Sequence, residues 1–157
     1  MKYTVGLNAA VPEFLDCILE NRQHIHEVYF SWGDLPNGRS NQLEKAGFTP
    51  WQLQDMQRAA LSALSAGGVG LNLLFNANCY GEEAQARSFF HQVGTIIDHV
   101  GEAYSLRSVT TTSPLIAKFI KNNFFTNVYI HFNFITVNYA TGTYCNNFGQ
   151  LGLFLYC

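Results

Sequence analysis

The chain has 157 residues, of which 48% are hydrophobic and only 13% charged, about half the usual charged share of a globular protein. Its formal net charge is -2 at pH 7, and its Lys and Arg residues form no cluster. Nothing in that distribution offers a footprint for a phosphate backbone or an anionic lipid surface, so nucleic acid and membrane are not expected as partners.

The length suits one compact unit with a real core. In the N-terminal MKYTVGLNAAVPEFLD, Glu13 and Asp16 interrupt a short apolar stretch, and no long hydrophobic region of the signal-peptide kind develops. A cytoplasmic location follows as an expectation. Cys17, Cys79, Cys145 and Cys157 lie far apart without CxxC spacing, which suits reduced thiols better than a zinc site or a disulfide framework. No metal site and no cofactor is evident.

Residues 2–8, KYTVGLN, form a short β-prone run. Pro12 then opens a helix in which Phe14, Leu15, Ile18 and Leu19 share one face. HEVYFSW, 26–32, is a second strand, rich in aromatic and β-branched residues and stopped by the turn-forming GDLPNGRS.

Thr49 and Pro50 give a cap and a first helical position for WQLQDMQRAALSALSA, with Gly67 just beyond its end. Leu53, Met56, Ala60, Leu61 and Leu64 make its buried face. GLNLLF, 70–75, is the third strand. EEAQARSFFHQVGTIIDHV is the third helix, with Phe89, Phe90, Val93, Ile96, Ile97 and Val100 at helical spacing and Glu82 and Glu83 at its positive dipole end. YSLRSV, 104–109, is the fourth strand, Ser113 and Pro114 start a helix over LIAKFIKNN, and TNVYIHFNF is a fifth strand.

Strands alternating with helices imply parallel pairing through right-handed crossovers, hence an α/β fold. A five-stranded doubly wound open sheet would be complete at this length, whereas a (β/α)8 barrel typically takes about 250 residues. From Asn122 to Cys157 there is no Asp, Glu, Lys or Arg. That tail has no amphipathic period, and its Asn residues break any membrane-length apolar span. An added hairpin and a truncated or frame-shifted end are its two readings, and VYIHFNFITVNYA within it is aggregation-prone if uncovered.

Ligands of parallel α/β folds bind at the carboxyl ends of the strands. The residues there are Asn8, Ser31, Trp32, Asn76, Asn78, Cys79, Tyr80, Thr110, Thr111, Thr112, Ser113 and Asn133. Amides and hydroxyls orient a polar ligand by directional hydrogen bonds without charge. The structural account is helix capping, which suits Ser113 well; two amides and a phenol in NANCYG exceed what one cap needs.

Cys79 is the candidate nucleophile, although no nearby His supplies a base and a packed, inert thiol is the simpler reading. Arg39, in the loop with Asp34, could take a carboxylate bidentately. His24 and His26 read as a solvated turn. His91 and His99 read as surface residues two helical turns apart.

The runs VYFSWGDLPNGRS, GLNLLFNANCYG and SVTTTSPLIAKFIK together resemble the first half of the collagenase-like peptidases, family 32 of the peptidases of unknown mechanism, over about residues 1–134. The resemblance implies a partial TIM-like (β/α) barrel of about five parallel strands and four helices over 1–134, followed by an atypical uncharged tail over 135–157. It places Asn8, Ser31, Asn76, Asn78, Cys79 and Thr110 to Thr112 around the barrel mouth and assigns catalysis to none of them. The family's cysteine-rich signature has no match here, since Cys145 and Cys157 stand alone in the tail, so neither a peptidase centre nor an iron–sulfur cluster is carried over.

The expected function is a peptidase-like hydrolase domain, an N-terminal fragment, with a site for a peptide or small polar ligand at the strand ends. The alternative is a non-catalytic half barrel that binds a small polar ligand or pairs with another chain or a second copy through exposed edges. A third reading is an inert partial gene product.

Overall fold

In chain order the elements are β1 (Tyr3–Gly6), α1 (Pro12–Glu20), β2 (Ile25–Phe30), α2 (Pro50–Ala66), β3 (Gly70–Phe75), α3 (Arg87–Tyr104), β4 (Leu106–Thr111), α4 (Pro114–Asn123) and β5 (Tyr129–Phe132). This computed structural model describes residues 2–32, 47–77, 80–124 and 129–132. The expectations for Arg39, Asn78, Cys79, Asn133 and the tail 135–157 lie outside the described residues.

Three of the helices begin on a proline, whose fixed φ and missing N–H suit the first helical position. Thr49 completes a capping box on α2: its Oγ1 accepts the Gln52 N–H at 3.3 Å, and Gln52 Oε1 accepts the Thr49 N–H at 2.9 Å. Ser113 Oγ accepts the Ile116 N–H at 3.4 Å and caps α4 as expected. α2 ends at Gly67, which keeps right-handed φ; the left-handed turn falls on Gly68, with φ +74°.

All strand pairs are parallel and the sheet order is β1-β2-β3-β4-β5. Strands β1 to β4 and four helices are described in full, and β5 extends the sheet at the β4 edge. The order runs in one direction, without the reversal that divides a doubly wound sheet. Right-handed crossovers repeated in one direction put successive helices on the same face, and α2 accordingly packs against both α1 and α3, and α3 against α4.

Between that helix layer and the sheet lies the core. Val28, Phe30, Leu71, Leu73, Phe75 and Val109 meet Ile18, Leu61, Leu64, Phe89, Val93, Ile97, Val100, Ile116 and Ile120. Each such side chain contributes about 1.5–3 kcal/mol when fully buried. Of the expected α2 face, Ala60, Leu61 and Leu64 are buried, while Leu53 and Met56 are half-buried.

Alternation then turns Glu27 and Tyr29, Asn72 and Leu74, and Ser108 and Thr110 to the opposite face. Leu74 is buried yet stands apart from the helix-side cluster, as that placement requires. Gly6 lies under Tyr29 there: a Cβ on it would come within 2.7 Å of the Tyr29 ring. The β3–β4 register jumps from Leu71↔Leu106 to Asn72↔Ser108, which leaves Arg107 as the extra residue of a bulge. Its Nη1 donates to the His26 carbonyl at 3.0 Å, and it crosses close over Gly70.

Two boundaries differ from the sequence reading. Glu82 and Glu83 do not open α3; they lie in a separate one-turn 3-10 helix, Glu82–Gln85, because Ala86 adopts extended ψ of 146° and interrupts the helix before Arg87. Tyr104 is not the start of the fourth strand; it closes the last turn of α3, its ring 5.9 Å from that of Trp32, and Ser105 at φ 53° ends the helix. No helix of the described residues is long and apolar enough to cross a membrane.

Candidate functional site

The clearest cluster of candidate residues lies at the carboxyl end of β3 and β4. Asn76 follows β3 directly and is half-buried, and its Oδ1 is fully shielded with no hydrogen-bond partner among the described residues. The next residue, Ala77, is buried; its N–H donates to the Tyr80 hydroxyl oxygen at 3.2 Å. Its carbonyl accepts the Thr112 hydroxyl at 3.1 Å, and the Thr112 N–H donates to the Phe75 carbonyl at 3.3 Å. These bonds tie Ala77, the residue after Asn76, to Tyr80 and Thr112 just past the two strands.

Tyr80 is held by its ring against Phe89, with centroids 5.3 Å apart. Burial pushes its pKa up to about 12, against a smaller lowering from the Ala77 hydrogen bond. The phenol is therefore protonated at neutral pH, and its O–H is a donor while its oxygen holds the Ala77 amide.

The other candidates have different surroundings. Asn8 is exposed after β1, and its carbonyl takes the Val11 N–H at 3.4 Å at the turn into α1. Ser31 is half-buried after β2, with its carbonyl holding Gln57 Nε2 at 2.7 Å. Trp32 is buried on the helix side between His99, at 5.4 Å, and Tyr104. Thr110 is buried on the face away from the helices; Thr111 is buried on the helix side, where its Oγ1 accepts the Ser113 N–H at 3.0 Å. His24, His26, His91 and His99 are exposed.

Below the strand ends lies a buried polar cluster that the sequence reading passed over. Glu27 Oε1 accepts Asn72 Nδ2 at 2.7 Å, and Glu27 Oε2 accepts the Ser108 hydroxyl at 2.7 Å. The three residues are 4%, 3% and 0% exposed. The strands taken singly carry no signal for it: the three side chains meet only through the register of β2, β3 and β4, including the shift between Leu71 and Asn72.

No family model matches the chain, and no curated protein is similar to it. The fold is similar to that of a solved U32 peptidase. That structure, of the U32 peptidase Mk0906, aligns with a TM-score of 0.56 at 11% identity, covering 85% of this chain and 49% of that one. The chain thus spans about half the length of the structure it matches, and at this identity the likeness is one of fold. Among the described residues, no group of three His, Cys, Asp or Glu side chains could hold a metal ion.

Proposed function

We propose that the chain is the N-terminal half of a TIM-like (β/α) barrel and serves as the substrate-binding part of a peptidase-like hydrolase, seating a peptide at the carboxyl ends of β3 and β4. The fold likeness to a U32 peptidase and the unreversed strand order support the barrel. The observation that carries the ligand is the shielded Asn76 Oδ1, an acceptor without a partner among the described residues, in the same strand-end segment as the protonated Tyr80. Such an orphan costs about 1–3 kcal/mol unless something satisfies it. A peptide N–H does so. Cys79, the residue immediately before Tyr80, is the nucleophile of this chain nearest in sequence to a peptide bound there.

The test is binding of fluorescently labelled gelatin peptides to the full chain and to Asn76→Ala. The reading expects measurable binding that weakens about tenfold in the variant, the value of one buried hydrogen bond. A chain that neither binds nor cleaves such peptides overturns it.

A second reading is favoured by β1, which the strand order leaves at the sheet edge with Tyr3 54% exposed. Such an edge presents unpaired backbone groups to another strand, and the half barrel then pairs with a second copy or another chain. Sedimentation velocity of the full chain decides this, since a monomer at high concentration excludes it.

A further inference from the structure

We infer that the Glu27–Asn72–Ser108 cluster is a seat for one protonated amine on the sheet face away from the helices. This rests on the cluster alone and does not require the peptide reading.

The hydrogen-bonding arithmetic decides it. Asn72 Nδ2 and the Ser108 hydroxyl each give a hydrogen to Glu27, one to each carboxylate oxygen. Flipping the Asn72 amide would aim its oxygen at the carboxylate, so the carboxylate fixes the amide's orientation. That orientation leaves Asn72 Oδ1 fully shielded and without a partner among the described residues. What remains at the cluster is acceptor capacity: a second site on each carboxylate oxygen, and Oδ1.

The charge points the same way. A buried carboxylate is expected to be paired, yet among the described residues the ion pair found is the remote Arg58–Asp55, at 3.9 Å. Arg107, the cation beside Ser108 in β4, is turned to the His26 carbonyl instead.

A hard metal ion needs about six oxygen ligands, more than one carboxylate, one amide and one hydroxyl supply, and at residues 4%, 3% and 0% exposed there is little room for waters to complete the shell. An alkylammonium has three N–H donors for three acceptors: Oε1, Oε2 and Oδ1. Toward the strand ends the next row on this face is Tyr29, Leu74 and Thr110, which suits the apolar stem of such a group.

The experiment is calorimetric titration of the full chain at fixed ionic strength with n-butylammonium, its neutral isostere n-butanol, and Nα-acetyl-lysine amide. Butylammonium is expected to bind and butanol not. Tighter binding of the lysine amide would identify a basic side chain as the source of the amine, and weaker binding a free amine. Glu27→Gln should lose at least about tenfold in affinity, as removal of a charged hydrogen-bond partner does. Ser108→Ala strips one donor from Glu27 and should bind as well or better. Equal binding of butanol, unchanged affinity in Glu27→Gln, or loss of binding in Ser108→Ala would each overturn the inference. Should Glu27→Gln fail to fold, the isostere comparison and Ser108→Ala decide it.

Discussion

The Tyr80 hydroxyl oxygen accepts the Ala77 N–H at 3.2 Å, so a side chain three residues on pins the backbone where β3 ends. Burial raises this phenol's pKa from 10.0 to about 12. The unfolded chain therefore ionises at lower pH than the folded one. The stabilisation from a neutral Tyr80 is full below pH 10.0 and is lost as pH rises through about 12. Denaturant melts of the wild type and Tyr80→Phe across that window check this. The wild type should lose stability more steeply than the variant; parallel curves would contradict it.

Thr112 and Asn76 should behave oppositely. Thr112→Val removes the donor to the Ala77 carbonyl and is expected to cost about 1 kcal/mol. Asn76→Ala removes an oxygen that has no partner among the described residues, so stability should rise, by up to the roughly 1–3 kcal/mol that such an orphan costs. Urea unfolding of the two variants tests the contrast.

Gly6→Ala places a methyl 2.7 Å from the Tyr29 ring. The ring must swing off β1 or the strands must part, and overpacking of this kind costs about 1–3 kcal/mol. Gly68→Ala meets open space but sits at φ +74°, so its cost of about 1 kcal/mol would come from backbone strain alone. Thermal melts of both variants, with Tyr29→Ala added to Gly6→Ala, separate the mechanisms: the second change should recover the steric part.

Ile97 is 2% exposed at the centre of the α3 face against the sheet. Ile97→Ala should destabilise by about 2–5 kcal/mol. Thr49→Ala, at the exposed capping box, should cost about 1 kcal/mol. Chemical denaturation that ranks the two in the reverse order would contradict the packing described here.

Much of this fold was legible because the signals were local. The Thr49–Pro50 and Ser113–Pro114 pairs announce helix starts through caps whose physics is confined to four residues, and GLNLLF reads as a strand from its apolar run. Tyr104 misled because an aromatic β-former can equally close a helix when a partner such as Trp32 is waiting, and that partner lies 72 residues away in sequence. Ala86 interrupted the third helix without a sequence signal, since no proline or glycine stands there. The strand-end rule singled out Asn76 and Tyr80, and Ala77 between them is tied to the Tyr80 hydroxyl. Trp32 and Thr111 obeyed the same rule, but alternation sent them to the helix side. Glu27 was missed because a lone carboxylate in IHEVYF gives no hint of Asn72 and Ser108 until the register brings three strands side by side.

The most direct measurement is amide chemical-shift mapping of the full chain during titration with gelatin peptides. A binding site at the strand carboxyl ends predicts shifts concentrated at Asn76, Ala77, Tyr80, Thr112 and Ser113. Shifts gathered instead in the groove between α3 and α4, around Phe90, Asp98 and Phe119, would contradict it.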